Sequence, residues 1–79
     1  MSEAAIVVID ARGHRCPTPT LRLRRALESA APGALIELIA DDPLARIDVP
    51  HFLNEVGSAL VSPPGPGPEL RFLIRKRAD

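Results

Sequence analysis

Apolar, β-branched stretches alternate along this chain with segments whose apolar residues repeat at helical spacing, and that alternation restricts it to folds in which strands and helices share one core. Residues 5–10, Ala-Ile-Val-Val-Ile-Asp, run into Ala11-Arg12-Gly13, the pattern of a buried strand entering a turn. Pro17 and Pro19 follow. Proline is tolerated in a first helical turn, where an amide hydrogen would have no intrahelical acceptor. A helix is therefore predicted from residue 17 to about residue 31, ending at Pro32-Gly33. On a helical wheel Leu23, Ala26, Leu27 and Ala30 share a face, while Leu21 falls among Arg22, Arg25 and Glu28. Residues 34–40, apolar except for Glu37, fit a second strand that closes at Asp41-Asp42-Pro43. Strand, helix, strand implies a parallel pair.

The second half repeats the alternation. Asp48 is a plausible N-cap for a helix whose apolar face is Val49, Phe52, Leu53 and Val56, with Gly57 as its stop. Residues 59–61 fit a short third strand. Pro63-Pro64-Gly65-Pro66-Gly67-Pro68 is too poor in donors to pair and is a loop, here bounded as 62–68. Residues 70–75 place Leu70, Phe72 and Ile74 on one side of a fourth strand. The order βαβαββ predicts an α/β (α+β) fold with two helices on one face of a four-stranded mixed sheet. A chain of 79 residues suits one domain, taken as 1–79 with a core of about 5–77. At that size only about 60% of the unfolded surface is buried.

Charge narrows the function classes. Ten basic and ten acidic residues cancel, which argues against a protein that coats nucleic acid through bulk charge. The distribution is uneven: Arg12, Arg15, Arg22, Arg24 and Arg25 occur with no acid among them, and Arg71, Arg75, Lys76 and Arg77 cluster near the end. Two readings stand for the first cluster, solvated surface arginines or a contact for an anionic partner. No apolar run approaches the roughly 18 residues of a membrane span, and Met1-Ser2-Glu3 lacks a basic signal-peptide start. The expectation is a soluble cytoplasmic protein without a membrane partner.

One cysteine, Cys16, cannot form an internal disulfide, so the fold needs no oxidising compartment. With two histidines and no second cysteine, neither a dedicated zinc site nor any other cofactor is expected. Cys16 falls near the N-cap of the first predicted helix, where unpaired amides and the positive end of the dipole favour thiolate over thiol. A self-resolving dithiol oxidoreductase is disfavoured, because it needs an internal thiol to release the mixed disulfide. A lone cysteine at such a position is read instead as a nucleophile through an exposed sulfur of lowered pKa. Pro17 and Pro19 stiffen the helix start and keep that sulfur outward.

Asp10-Ala11-Arg12-Gly13-His14-Arg15-Cys16-Pro17-Thr18-Pro19, then Asp41-Asp42-Pro43, Asp48-Val49-Pro50 and Leu73-Ile74-Arg75-Lys76, in that order, resemble the TusA (SirA-like) family of sulfur carrier proteins over nearly the whole chain. The resemblance implies a two-layer α/β sandwich. It implies a sulfurtransferase whose cysteine, here Cys16, accepts sulfur as a persulfide from a cysteine desulfurase or rhodanese-like donor. That sulfur then passes to an acceptor relay protein, in routes to thiolated tRNA, molybdenum cofactor or oxidised sulfur.

Around Cys16 further residues receive assignments. Gly13 permits a backbone conformation closed to other residues, shaping the site with Pro17 and Pro19. Arg12, His14 and Arg15 are candidates to stabilise the thiolate or persulfide anion, against the simpler reading of His14 as a solvated turn residue. Leu21 and Arg25 are candidates for partner docking. Asp41 and Asp42 match the family's acidic turn, where docking to a basic partner and capping account for them equally. Ile47 stands where the family often has a basic residue, with Arg46 one place earlier; this departure bears on partner choice. A monomer leaves the thiol face free for two partners in turn. Alternatives from other classes are a small regulatory protein on the same fold without sulfur transfer and an RNA-binding module. Direct nucleic-acid binding is disfavoured, since Phe52 and Phe72 are the only aromatics and both sit at predicted core positions.

Overall fold

The structure, a computed structural model, describes residues 6–13 and 18–77. The elements run β1 (Ile6–Asp10), α1 (Thr18–Ser29), β2 (Leu35–Ala40), α2 (Ala45–Val56), β3 (Ala59–Ser62) and β4 (Leu70–Arg75). The four strands form one mixed sheet in the order β1-β2-β4-β3. β1 and β2 are parallel, as a helical crossover between them requires. β4 is antiparallel to both neighbours and inserts between β2 and β3.

Strand alternation sends one set of side chains toward the helices. Ile36 faces Ile74, Leu38 faces Phe72 and Ala40 faces Leu70 across the β2–β4 ladder, and all six are buried. Ile9, paired with Leu38 in register, extends the same surface into β1. α1 contributes Leu23 and Leu27, and α2 contributes Ala45, Val49, Phe52 and Leu53, to this single cluster. Ala26, Ala30, Val56 and Leu60 pack at its margin. Both helices thus cover one face, giving the two layers expected.

The opposite face carries mixed chemistry. Ile6 and Val8 of β1 are half-exposed there. Ile39 is buried apart from the main cluster, and its cross-strand neighbours are Asp10 and Arg71. Arg71 is paired with Glu69 at 2.8 Å and Glu37 at 3.5 Å, and Arg12 bridges Asp10 at 2.7 Å and Glu69 at 3.8 Å. A chain of alternating charges therefore crosses the sheet above Ile39.

Two helix boundaries differ from the sequence expectation. α1 ends at Ser29, where the backbone turns through Ala30 to the left-handed Gly33, and the ammonium of Lys76 donates to the carbonyls of Leu27 and Ala30 and so caps that end. α2 begins at Ala45 rather than after Asp48. Its start is set by Asp42, whose carboxylate accepts the Leu44 amide at 3.0 Å and whose carbonyl accepts the Ala45 amide at 2.9 Å. Asp48 instead lies in the first turn, where its charge complements the helix dipole. Pro50 lies inside the helix and cannot donate back to Arg46. Gly57 does end α2: it is left-handed at φ 77°, and its amide closes on the Leu53 carbonyl. β3 includes Ser62, with an irregular register between Leu60 and Ser62. Among the described residues, no helix is long and apolar enough to cross a membrane.

Candidate functional site

Because β1 and β2 are parallel, their carboxyl ends lie side by side. Such ends are where open α/β sheets bind and react. Both segments singled out in the sequence leave the sheet there: the one from Ala11 toward Cys16, and the turn Asp41-Asp42-Pro43. His14, Arg15, Cys16 and Pro17 lie outside the described residues. The frame on either side of them is described.

On the upstream side every residue is held. Ala11, fully buried, donates its amide to the Ile39 carbonyl at 2.8 Å, extending the β1–β2 pairing by one residue. The Arg12 amide donates to Asp10 Oδ1 at 3.1 Å. Gly13 donates its amide to both oxygens of Asp41, at 3.0 and 3.1 Å. Its φ of 85° is the left-handed conformation expected of it. A Cβ there would meet nothing within 4 Å, so the demand for glycine is conformational.

On the downstream side α1 starts at Thr18 with no acidic residue in its first turn. Pro19 is fully buried, anchoring the helix start in the core without losing a hydrogen bond. Arg22 donates to the Asp10 carbonyl at 2.8 Å, tying α1 back to the end of β1.

The two aspartates of the acidic turn have separate tasks. Asp42 starts α2, and Asp41 holds Gly13. Arg12 is held bidentate by Asp10, with Nε at 2.9 Å and Nη2 at 2.7 Å from the carboxylate. The Arg12 guanidinium, and then its backbone amide, hold the Asp10 carboxyl well below the usual carboxylate range, and Arg12 is pushed up in turn.

The outward face of α1 is basic with an apolar point. Leu21 is 56% exposed, as its place on the wheel predicts. It lines a shallow hollow of about 450 Å³ with Arg22, Arg24, Arg25 and Glu28. The Arg24 guanidinium lies over the Phe52 ring, 4.9 Å from its centroid. On α2, Arg46 donates to the carbonyls of Gly65 and Gly67 at 2.8 and 3.1 Å, which pins the Pro/Gly loop and leaves Ile47 68% exposed. The roles of Asp10, Arg22 and Arg46 were not read from sequence. Only the spacing of Asp10 and Arg12 hinted at the first.

The match to the model of the family described as sulfurtransferase TusA covers residues 7–76. The chain is 35% identical to the sulfur carrier protein TusA of Pseudomonas aeruginosa (strain LESB58) over 79 residues, the whole of both chains. It is 38% identical to that of Pseudomonas putida (strain GB-1) over 72 residues, 91% of this chain and 90% of the relative. Among solved structures, the SirA-like protein of Desulfitobacterium hafniense superposes with a TM-score of 0.72 at 24% identity, over 92% of this chain and 99% of that one; at that identity the likeness concerns the fold.

Proposed function

The chain belongs to the TusA family, and from that premise we propose that it is a sulfur carrier protein with Cys16 as nucleophile and sulfur-bearing residue. The observation that carries this is the match over residues 7–76, within which the chain's one cysteine falls. Its relatives are sulfur carrier proteins by name.

In the proposed reaction the Cys16 thiolate attacks the outer sulfur of a donor persulfide. A bond forms between Sγ and that sulfur, the donor's own S–S bond breaks, and the donor leaves as a thiolate. An acceptor thiolate then attacks the outer sulfur of the Cys16 persulfide and releases Cys16 as thiolate. Neither step needs a metal or an external oxidant. Several described features support this reading. The start of α1 supplies a positive dipole end with no acid in its first turn to offset it. The basic face around Leu21, Arg22 and Arg25 suits a partner with an acidic surface and an apolar recess. Donors of the right chemistry are a cysteine desulfurase or a rhodanese-like protein, and the acceptor is a sulfur-relay protein in a reducing compartment. Phe52 and Phe72 are buried, which removes both phenylalanine rings as platforms for base stacking.

The test is intact-mass measurement after incubation with a cysteine desulfurase and cysteine, or with a rhodanese and thiosulfate, beside a Cys16→Ser control. A gain of one sulfur atom, reversed by dithiothreitol and absent from the control, is expected. Folded protein whose Cys16 reacts with iodoacetamide yet takes sulfur from neither donor overturns the proposal.

A further inference from the structure

The two oxygens of Asp41 converge on one amide, that of Gly13, across 28 residues of sequence. This is the last described residue before the four that lead through Cys16 to α1. Asp42, its neighbour, is spent on the start of α2. The segment upstream of Gly13 is held by the Ala11 and Arg12 amides, and Asp41 carries that restraint one residue further, onto the chain that presents the sulfur.

We propose that Asp41 is a positioning residue for sulfur transfer: its carboxylate latches the Gly13 amide and fixes the point from which residues 14–17 reach α1. The proposal rests on Cys16 being the sulfur carrier. Two physical consequences follow. A short segment between two fixed points samples fewer conformations than one with a loose end, so the sulfur loses less freedom on docking. The latch also directs the carboxylate's negative charge onto an amide donor, which leaves less of it to act on its surroundings.

Asp41→Ala and Asp41→Asn in the full chain separate these effects, because asparagine keeps an acceptor oxygen for Gly13 and drops the charge. Three readouts are taken: exchange of the Gly13 amide by NMR, the pH profile of Cys16 alkylation by iodoacetamide, and sulfur loading by a cysteine desulfurase with cysteine. In Asp41→Ala the Gly13 amide is expected to exchange on the order of tenfold faster. Its loading should slow several-fold, with the alkylation profile broadened or shifted, and Asp41→Asn should restore protection and most of the loading. Wild-type protection and loading in Asp41→Ala overturn the proposal. So does an Asp41→Asn variant that keeps Gly13 protected but loads as poorly as Asp41→Ala, since that makes Asp41 a charge read by the partner. Should Asp41→Ala fail to fold, Asp41→Asn still decides between latch and partner contact. If the wild-type chain takes up no sulfur, the carrier reading fails, while Gly13 exchange and the alkylation profile still decide whether the latch exists.

Discussion

The ammonium nitrogen of Lys76 stands 2.9 Å from the carbonyl oxygen of Ala30 and donates as well to that of Leu27, so the residue that follows β4 caps the end of α1. The Lys76 backbone pairs with the same connection, its amide donating to Ala34 at 2.9 Å and its carbonyl accepting from Gly33 at 3.1 Å. A cation on terminal helix carbonyls gains from both hydrogen bonding and the dipole. Lys76→Met should therefore lower unfolding free energy by about 1–2 kcal/mol, read from urea denaturation. A loss under about 0.3 kcal/mol would show that water replaces the ammonium at no cost. Alkylation of Cys16 should be unchanged, because the cap lies at the other end of α1.

At Gly13 the constraint is conformational. Alanine would meet no neighbour but would have to hold φ near 85°, at a cost of roughly 1 kcal/mol. Gly13→Ala should lower stability by about that amount, or escape the strain by letting go of Asp41 and exposing the Gly13 amide. Calorimetry with amide exchange tells the two apart. Unchanged stability together with unchanged protection at residue 13 would contradict the strain argument.

Asp10 makes the pH dependence directional. Its carboxyl is held below the ordinary value of 3.8, first by the Arg12 side chain. A group with a depressed folded value adds stability above its unfolded value and loses that contribution as pH falls through the folded one. Asp10→Asn should thus be less stable than wild type at neutral pH, and the difference should shrink steadily as pH drops below about 4. The pair is half-exposed, so the effect is small and should weaken in high salt. Denaturation midpoints against pH in the two proteins provide the check. A gap that widens on acidification would reverse the assigned sign.

Those three sites differ in how far the sequence exposed them. β4 was legible because Leu70, Phe72 and Ile74 alternate against one face, and the inward side of α1 because Leu23 and Leu27 recur at helical spacing. Gly13 was legible as a residue freed from ordinary backbone limits. The start of α2 was misplaced because Asp48 before an apolar run imitates a cap, while Asp42, six residues earlier, sets the turn with its carboxylate and carbonyl. The contacts of Asp41 with Gly13 and of Lys76 with α1 join residues 28 and 46 or more apart, distances over which local pattern carries no signal. Arg46 looked like a displaced member of the family's basic position. The structure binds it to the Pro/Gly loop, because that loop's carbonyls have no strand partner.

That last contact gives its own prediction. Arg46→Ala should leave the sheet intact and loosen residues 63–68, raising amide exchange at Gly65 and Gly67 and protease cleavage of the loop before any global change. The stability cost should be about 0.5–1.5 kcal/mol, the range of ordinary solvent-accessible hydrogen bonds. Exchange confined to α2, with the loop as protected as in wild type, would show that the prolines alone fix the loop.

The core sets the limit on all such changes. Phe72 is fully buried and faces Leu38, also fully buried, across the ladder beneath both helices. Phe72→Ala should cost about 3–5 kcal/mol. A chain of this length has roughly 4–12 kcal/mol to lose, so the variant should be partly unfolded at 37 °C, with a cooperative transition only at lower temperature. Phe72→Leu keeps most of the buried volume and should cost less than about 2 kcal/mol, leaving the fold intact. Equilibrium denaturation of both variants gives the comparison. If alanine cost no more than leucine, the layer between sheet and helices would have to collapse around the missing ring. The two helices would then be resting on a deformable layer, and Pro19, buried at the start of α1, would no longer be held by rigid packing.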